Sequence, residues 1–112
     1  MELNDKDNKI IDCIENYICE LFGVSSEEIY AINATRVASL ARAYLFYIIH
    51  IDLKYSIKCI CDRYSRKKRS VFTAISKIKY LINNQKQFTA KYEEIKKWHQ
   101  GIKPQCHRVY KI

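Results

Sequence analysis

Five basic residues, Arg63, Arg66, Lys67, Lys68 and Arg69, fall within seven positions, where the periodicity places a tight turn leading into a helix. Cations there oppose the positive end of the helix dipole, costing a few tenths of a kcal/mol each unless an anion sits among them. A phosphate backbone is such an anion. Little in the sequence points to catalysis. Ser70 has no His/Asp partner at a recognisable spacing, which removes a hydrolase reading. His50 lies on an apolar helix, as a packed or edge residue would. Cys59 and Cys61, two apart on a helix, point about 200° from each other and cannot easily share a metal. His99, Cys106 and His107 match no zinc spacing. Five cysteines, an odd number in a core-rich chain, read as small core residues rather than a disulfide framework. No catalytic residue, metal or cofactor is expected.

Charge along the chain sharpens this. Residues 1–53 carry four basic residues against nine acids, a net −5, and residues 54–112 carry sixteen against three, a net +13. A segregated basic half suits a polyanionic partner, nucleic acid above all. The 112 residues are 48% hydrophobic and 12% aromatic, with 2 Gly and 1 Pro, so they can bury a core and fit one domain. No apolar run approaches the roughly 18–20 residues of a membrane span, and the start MELNDKDNK is polar. The expectation is a cytoplasmic, nucleoid-associated protein with no membrane partner.

The elements that must position the basic cluster are helical throughout. Ile10, Ile11, Ile14, Tyr17, Ile18 and Leu21 recur at helical spacing from about residue 6 to Phe22, with Gly23 as the stop. Ser25 or Ser26 opens a short helix through Ile32. Residues 35–53 are apolar around most of the circumference and read as a long central helix. Ser56 caps a helix through Tyr64, with Ile57, Ile60 and Cys61 inward and Tyr55 and Tyr64 packing at its edges. The next helix, from about Lys68 to Ile82, turns Val71, Phe72, Ile75, Ile78, Leu81 and Ile82 inward. Its outer side carries Arg69, Ser70, Thr73, Ser76, Lys77 and Tyr80. An amphipathic helix over about 86–99 follows, then a basic tail over 101–112. The predicted fold is a small all-α bundle of about six helices in which residues 56–82 form a helix-turn-helix, whose second helix enters the DNA major groove.

Residues 20–82 resemble the C-terminal DNA-binding domain of the bacterial replication initiator protein DnaA, of the Trp-repressor-like helix-turn-helix type. The likeness starts at ELFGVSSEEIYA, similar to that family's aromatic, Gly, Val, acidic, Leu-Leu start. It continues through TRVASLARAYLFYII, where Arg36 and Arg42 fall on family basic positions that reach DNA, and ends at YSIKCICDRYSRKKRSVFTAISKIKYL. Ser65-Arg66 stands where the family has Gly-Gly, and Lys68-Arg69-Ser70 where it has the base-reading Asp-His-Ser. Ala34 replaces the Arg that the family places in the minor groove. The resemblance therefore implies the fold and double-stranded DNA binding, but not the initiator's usual site. The chain lacks G-x-x-x-x-G-K-[ST], so no nucleotide cofactor or ATP-driven assembly is expected.

On this reading Arg69, Ser70, Thr73 and Lys77 face the groove floor, and Lys54, Lys58, Arg63, Arg66, Lys67 and Lys68, with Arg42 behind them, hold phosphates. The process served would be replication or transcription. A reading of another class makes the chain a partner-binding or homodimerising module, using its acidic first helix and the aromatic C-terminal helix with Phe88, Tyr92, Ile95 and Trp98. RNA binding has less to stand on, because no GXXG loop or aromatic sheet motif is present.

Overall fold

Three hydroxyl side chains decide where helices begin. Ser25, Thr35 and Ser56 each hold extended backbone one residue before a helix. Their side-chain oxygens accept from the backbone N–H of Glu28, Ala38 and Cys59 at 3.2, 3.1 and 3.2 Å, pairing donors that the first turn cannot pair itself. Glu28 returns the bond by accepting from the Ser25 N–H at 3.1 Å, which completes a capping box.

The computed structural model describes the backbone of residues 5–31 and 35–111, and side chains as far as residue 98. Those residues form six α-helices, with no strand among them: α1 Asp5–Phe22, α2 Ser26–Tyr30, α3 Arg36–Tyr47, α4 Ile57–Tyr64, α5 Lys68–Asn84 and α6 Lys86–Lys111. Gly23, at φ 68°, ends α1 as expected. Its N–H reaches the Glu20 carbonyl at 3.3 Å and that of Val24 reaches Cys19 at 3.0 Å, the paired bonds of a Schellman stop.

Differences from the sequence reading have local causes. The helix expected over 35–53 changes to a π-helical turn at Ile48–Asp52. That wider turn brings His50 Nδ1 to 2.8 Å from the Tyr55 carbonyl and Asp52 to 2.9 Å from the Tyr92 hydroxyl. Phe72, expected inside, is 59% exposed. Val71, Ile75, Ile78 and Ile82 make the buried line of α5, and Phe72 lies about 100° around the helix from Val71. On α4 the inward residues are Cys59, Ile60 and Tyr64, with Ile57 and Cys61 half-buried. Helix α6 runs past Gly101 and Pro104, where a tail was expected, although each of these residues disfavours a helix interior. Side chains of the basic tail, and those of His99, Cys106 and His107, lie outside the described residues.

The buried residues of α1 to α6 form one cluster around Tyr44, Leu45, Phe46, Ile48 and Ile49. The C-terminal aromatics proposed as partner anchors are used inside it. Ile95 is fully buried, Tyr92 meets Tyr47 edge-on at 5.3 Å, and Trp98 stacks on Tyr17 at 4.1 Å. That packing bridges α6 to α1 and α3 and leaves α6 little to offer a partner through these residues.

Buried phenols give the fold an alkaline limit. Burial pushes the Tyr44 hydroxyl from 10.0 up to about 12. Tyr64 and Tyr92 are raised as well, first by burial and then, for Tyr64, by the charge of Glu15 and, for Tyr92, by its hydrogen bond to Asp52. Unfolded, each would ionise near 10. The folded chain therefore holds more protons above about pH 10, and stability, intact below it, falls by about 1.4 kcal/mol per pH unit for each such tyrosine. Urea titrations from neutral to strongly alkaline pH are expected to show this decline, shallower in Tyr44→Phe. A midpoint unchanged across that range would contradict it.

Candidate nucleic-acid interface

Helix α5 has no acidic residue along its 17 positions, and its four cations, Lys68, Arg69, Lys77 and Lys79, are all exposed. Ser70, Thr73 and Ser76 lie exposed among them. Lys67 stands at the N-cap in extended backbone and provides no side-chain acceptor for the first-turn N–H groups. The start of α5 thus combines uncapped N–H donors with exposed cations, an arrangement suited to an anion.

The turn feeding α5 is three residues, Ser65 to Lys67. Ser65 adopts φ 53°, ψ 50°, a left-handed conformation that costs a non-glycine residue roughly 1–2 kcal/mol. The Arg66 N–H bonds the Cys61 carbonyl at 3.1 Å, closing α4 in the way Gly23 and Val24 close α1. Ser65 therefore fills a glycine's backbone role, which explains how the turn survives without a Gly-Gly pair.

Arg66 reaches in another direction. Its guanidinium donates to the carbonyls of Tyr30 and Ala31 at 2.8 and 2.7 Å, and Arg42 donates to the same Ala31 carbonyl at 3.0 Å. Two cations thus converge on the end of α2. Burial, and then the charge of Arg66 beside it, hold Arg42 below its ordinary pKa. Residues 32–34, including Ala34 of the expected minor-groove loop, lie outside the described residues. Thr35 is the α3 N-cap.

Arg63 is set apart from the rest of the cluster. Its side chain is only 13% exposed. It donates to Asn8 at 2.6 Å and to Asp12 and lies 3.7 Å from Glu15, so its charge is neutralised within the protein rather than presented with Lys67, Lys68 and Arg69. Glu15, 6% exposed, also accepts from the Tyr64 hydroxyl at 2.7 Å. Tyr55 donates to Asp7 of the same helix. Three α1 acids are thereby committed to α4 and the residues leading into it. Asp12 and Glu15, three apart on one helix face, were the available sequence signal that a cation packs there.

The remaining expected contacts are exposed. Lys58 pairs with Asp62 at 3.0 Å, both largely in solvent, a pair worth little on its own. Lys54 is exposed at φ 67°. Lys58 and Lys68 line one depression, and Arg36 and Lys77 line another between α3 and α5. Lys58, Lys67, Lys68, Arg69, Lys77 and Arg36 are thus surface charges on or beside α5 and Lys54 a surface charge before α4, whereas Arg42 and Arg66 brace α2. Among the described residues, no three His, Cys, Asp or Glu side chains are grouped to hold a metal ion, and no helix is long and apolar enough to cross a membrane.

Among curated proteins, the chain is 33% identical over 69 residues to the chromosomal replication initiator protein DnaA of Pseudothermotoga lettingae. The matched stretch is 62% of this chain and 16% of that protein, so the chain spans a small part of its relative's length. The likeness is that of a distant DnaA-like segment. No protein-family model and no solved structure matches.

Proposed function

We propose that this chain binds double-stranded DNA, with α4, the Ser65–Lys67 turn and α5 acting as a helix-turn-helix. The observation that carries the reading is the acid-free, basic outer side of α5, which begins at an uncapped N-terminus with Lys67, Lys68 and Arg69 exposed. Such a surface repels itself and is relieved by a polyanion. Arg69, Ser70, Thr73 and Lys77 face the floor of the major groove, and Arg69 pairs with guanine, the commonest contact of this type. Lys54, Lys58, Lys67 and Lys68 hold phosphates, with Arg36 beside Lys77. Arg42 and Arg66 keep the end of α2 in place for the backbone. Distant likeness to an initiator DnaA supports a role in replication or transcription, and the altered Lys68-Arg69-Ser70 supports a different target sequence. The 112 residues act on this reading as a single DNA-binding domain with no enzymatic activity.

Selection from a random pool of duplexes at moderate salt tests this. An enriched motif is expected, with log affinity falling against log salt by about 0.9 per phosphate contacted. Half-site spacing in the motif would report a dimer. Binding that ignores salt, or no retention of duplex at all, would refute the reading.

A further inference from the structure

Phe72 is 59% exposed in the second turn of α5, and packing does not account for its identity, because Val71, Ile75, Ile78 and Ile82 complete the buried line without it. Around the helix it lies on the side of Arg69 and Ser76, three residues back and four ahead, both exposed. Ile75, three residues on, belongs to the buried line, and the exposed neighbours on that side, Lys68, Arg69 and Ser76, are cationic or hydroxylic. An aromatic ring there would meet a polyanion that covered this face.

A ring has no donor or acceptor with which to read the polar edges of base pairs. Against the N4 amine of cytosine or the O6 of guanine it would strip water and return nothing. The C5-methyl of thymine is the apolar group that base pairs present in the major groove, and Phe suits it. We infer that Phe72 is a specificity residue that packs on a thymine methyl; this rests on the duplex-DNA reading above. Phe72 follows Arg69 by three residues, about 4.5 Å along the helix axis, close to one base step of about 3.4 Å. The guanine taken by Arg69 and the thymine taken by Phe72 are therefore neighbours in the site.

The probe is the duplex most strongly retained from the random pool, remade with deoxyuridine at one thymine at a time, which deletes only a methyl. For the wild-type chain one position is expected to weaken binding about fourfold, the effect of one buried methyl-sized group. Phe72→Ala is expected to weaken binding of the thymine duplex by a similar factor and to bind the uracil duplex no worse than the thymine one. The inference is overturned if the wild type tolerates uracil everywhere, or if Phe72→Ala keeps the full preference for thymine. In either case salt-dependent duplex binding would still stand. Failure to retain any duplex would remove both proposals together.

Discussion

Replacing Lys67, Lys68 and Arg69 together by alanine is expected to lower affinity for duplex DNA about a hundredfold near physiological salt, Arg69 through its lost base contact, and to reduce the log-log salt slope by about 1.8, the worth of the two phosphate contacts of Lys67 and Lys68. The same variant should unfold at an unchanged or slightly higher temperature. All three side chains are exposed, and Lys67 makes no capping bond. Removing cations from the positive end of the α5 dipole relieves a few tenths of a kcal/mol each. Binding and stability therefore move independently, or in opposite directions, as expected where residues serve a ligand rather than the fold. Filter or anisotropy titrations over a range of salt, beside a thermal melt, read both quantities. Equal binding by variant and wild type would remove the DNA interface; a large drop in melting temperature would show that the cluster holds the bundle together.

Arg63→Ala is expected to do the reverse. It leaves the buried carboxylate of Glu15 without its neighbouring cation and ends the bonds to Asn8 and Asp12. Removing one member of a buried charged group costs about 3 kcal/mol or more, a large part of the stability of a small domain. Tyr64 still donates to Glu15, which places the expected loss at the lower end of that range. Where the variant remains folded, its salt slope for DNA should equal that of the wild type. Urea unfolding measures the first quantity and the salt titration the second. A lowered slope with unchanged stability would return Arg63 to the phosphate-binding set.

These two variants concern residues four to six positions apart in one basic run, and composition cannot distinguish them. The acids that neutralise Arg63 are 51 and 48 positions away, on α1. They reach it because α1 lies close enough to α4 for Asp7, Asp12 and Glu15 to meet Tyr55, Arg63 and Tyr64. The acidic half of the chain, which offered no role as a string of charges, acquires one at this contact. Phe72 lies outside the core for a related reason: periodicity marks it as apolar and near the buried line, but the angle from Val71 to the edge of that line depends on what packs against α5.

What the amino-acid sequence determined by itself was whatever depends on neighbours a few positions apart. Ser25, Thr35 and Ser56 cap helices through bonds to the third residue on, Gly23 stops α1 with its own backbone, and a stripe of apolar side chains makes each helix amphipathic. The all-helical class, the position of α5 and its lack of acids were legible for that reason. Tertiary structure alone decided which cations remain on the surface. A guanidinium is held by whichever carboxylates and carbonyls the folded chain brings within hydrogen-bonding reach, carboxylates of α1 for Arg63 and carbonyls at the end of α2 for Arg66 and Arg42. It also left Lys67, Lys68 and Arg69 exposed at the start of α5, with Phe72 exposed in the next turn.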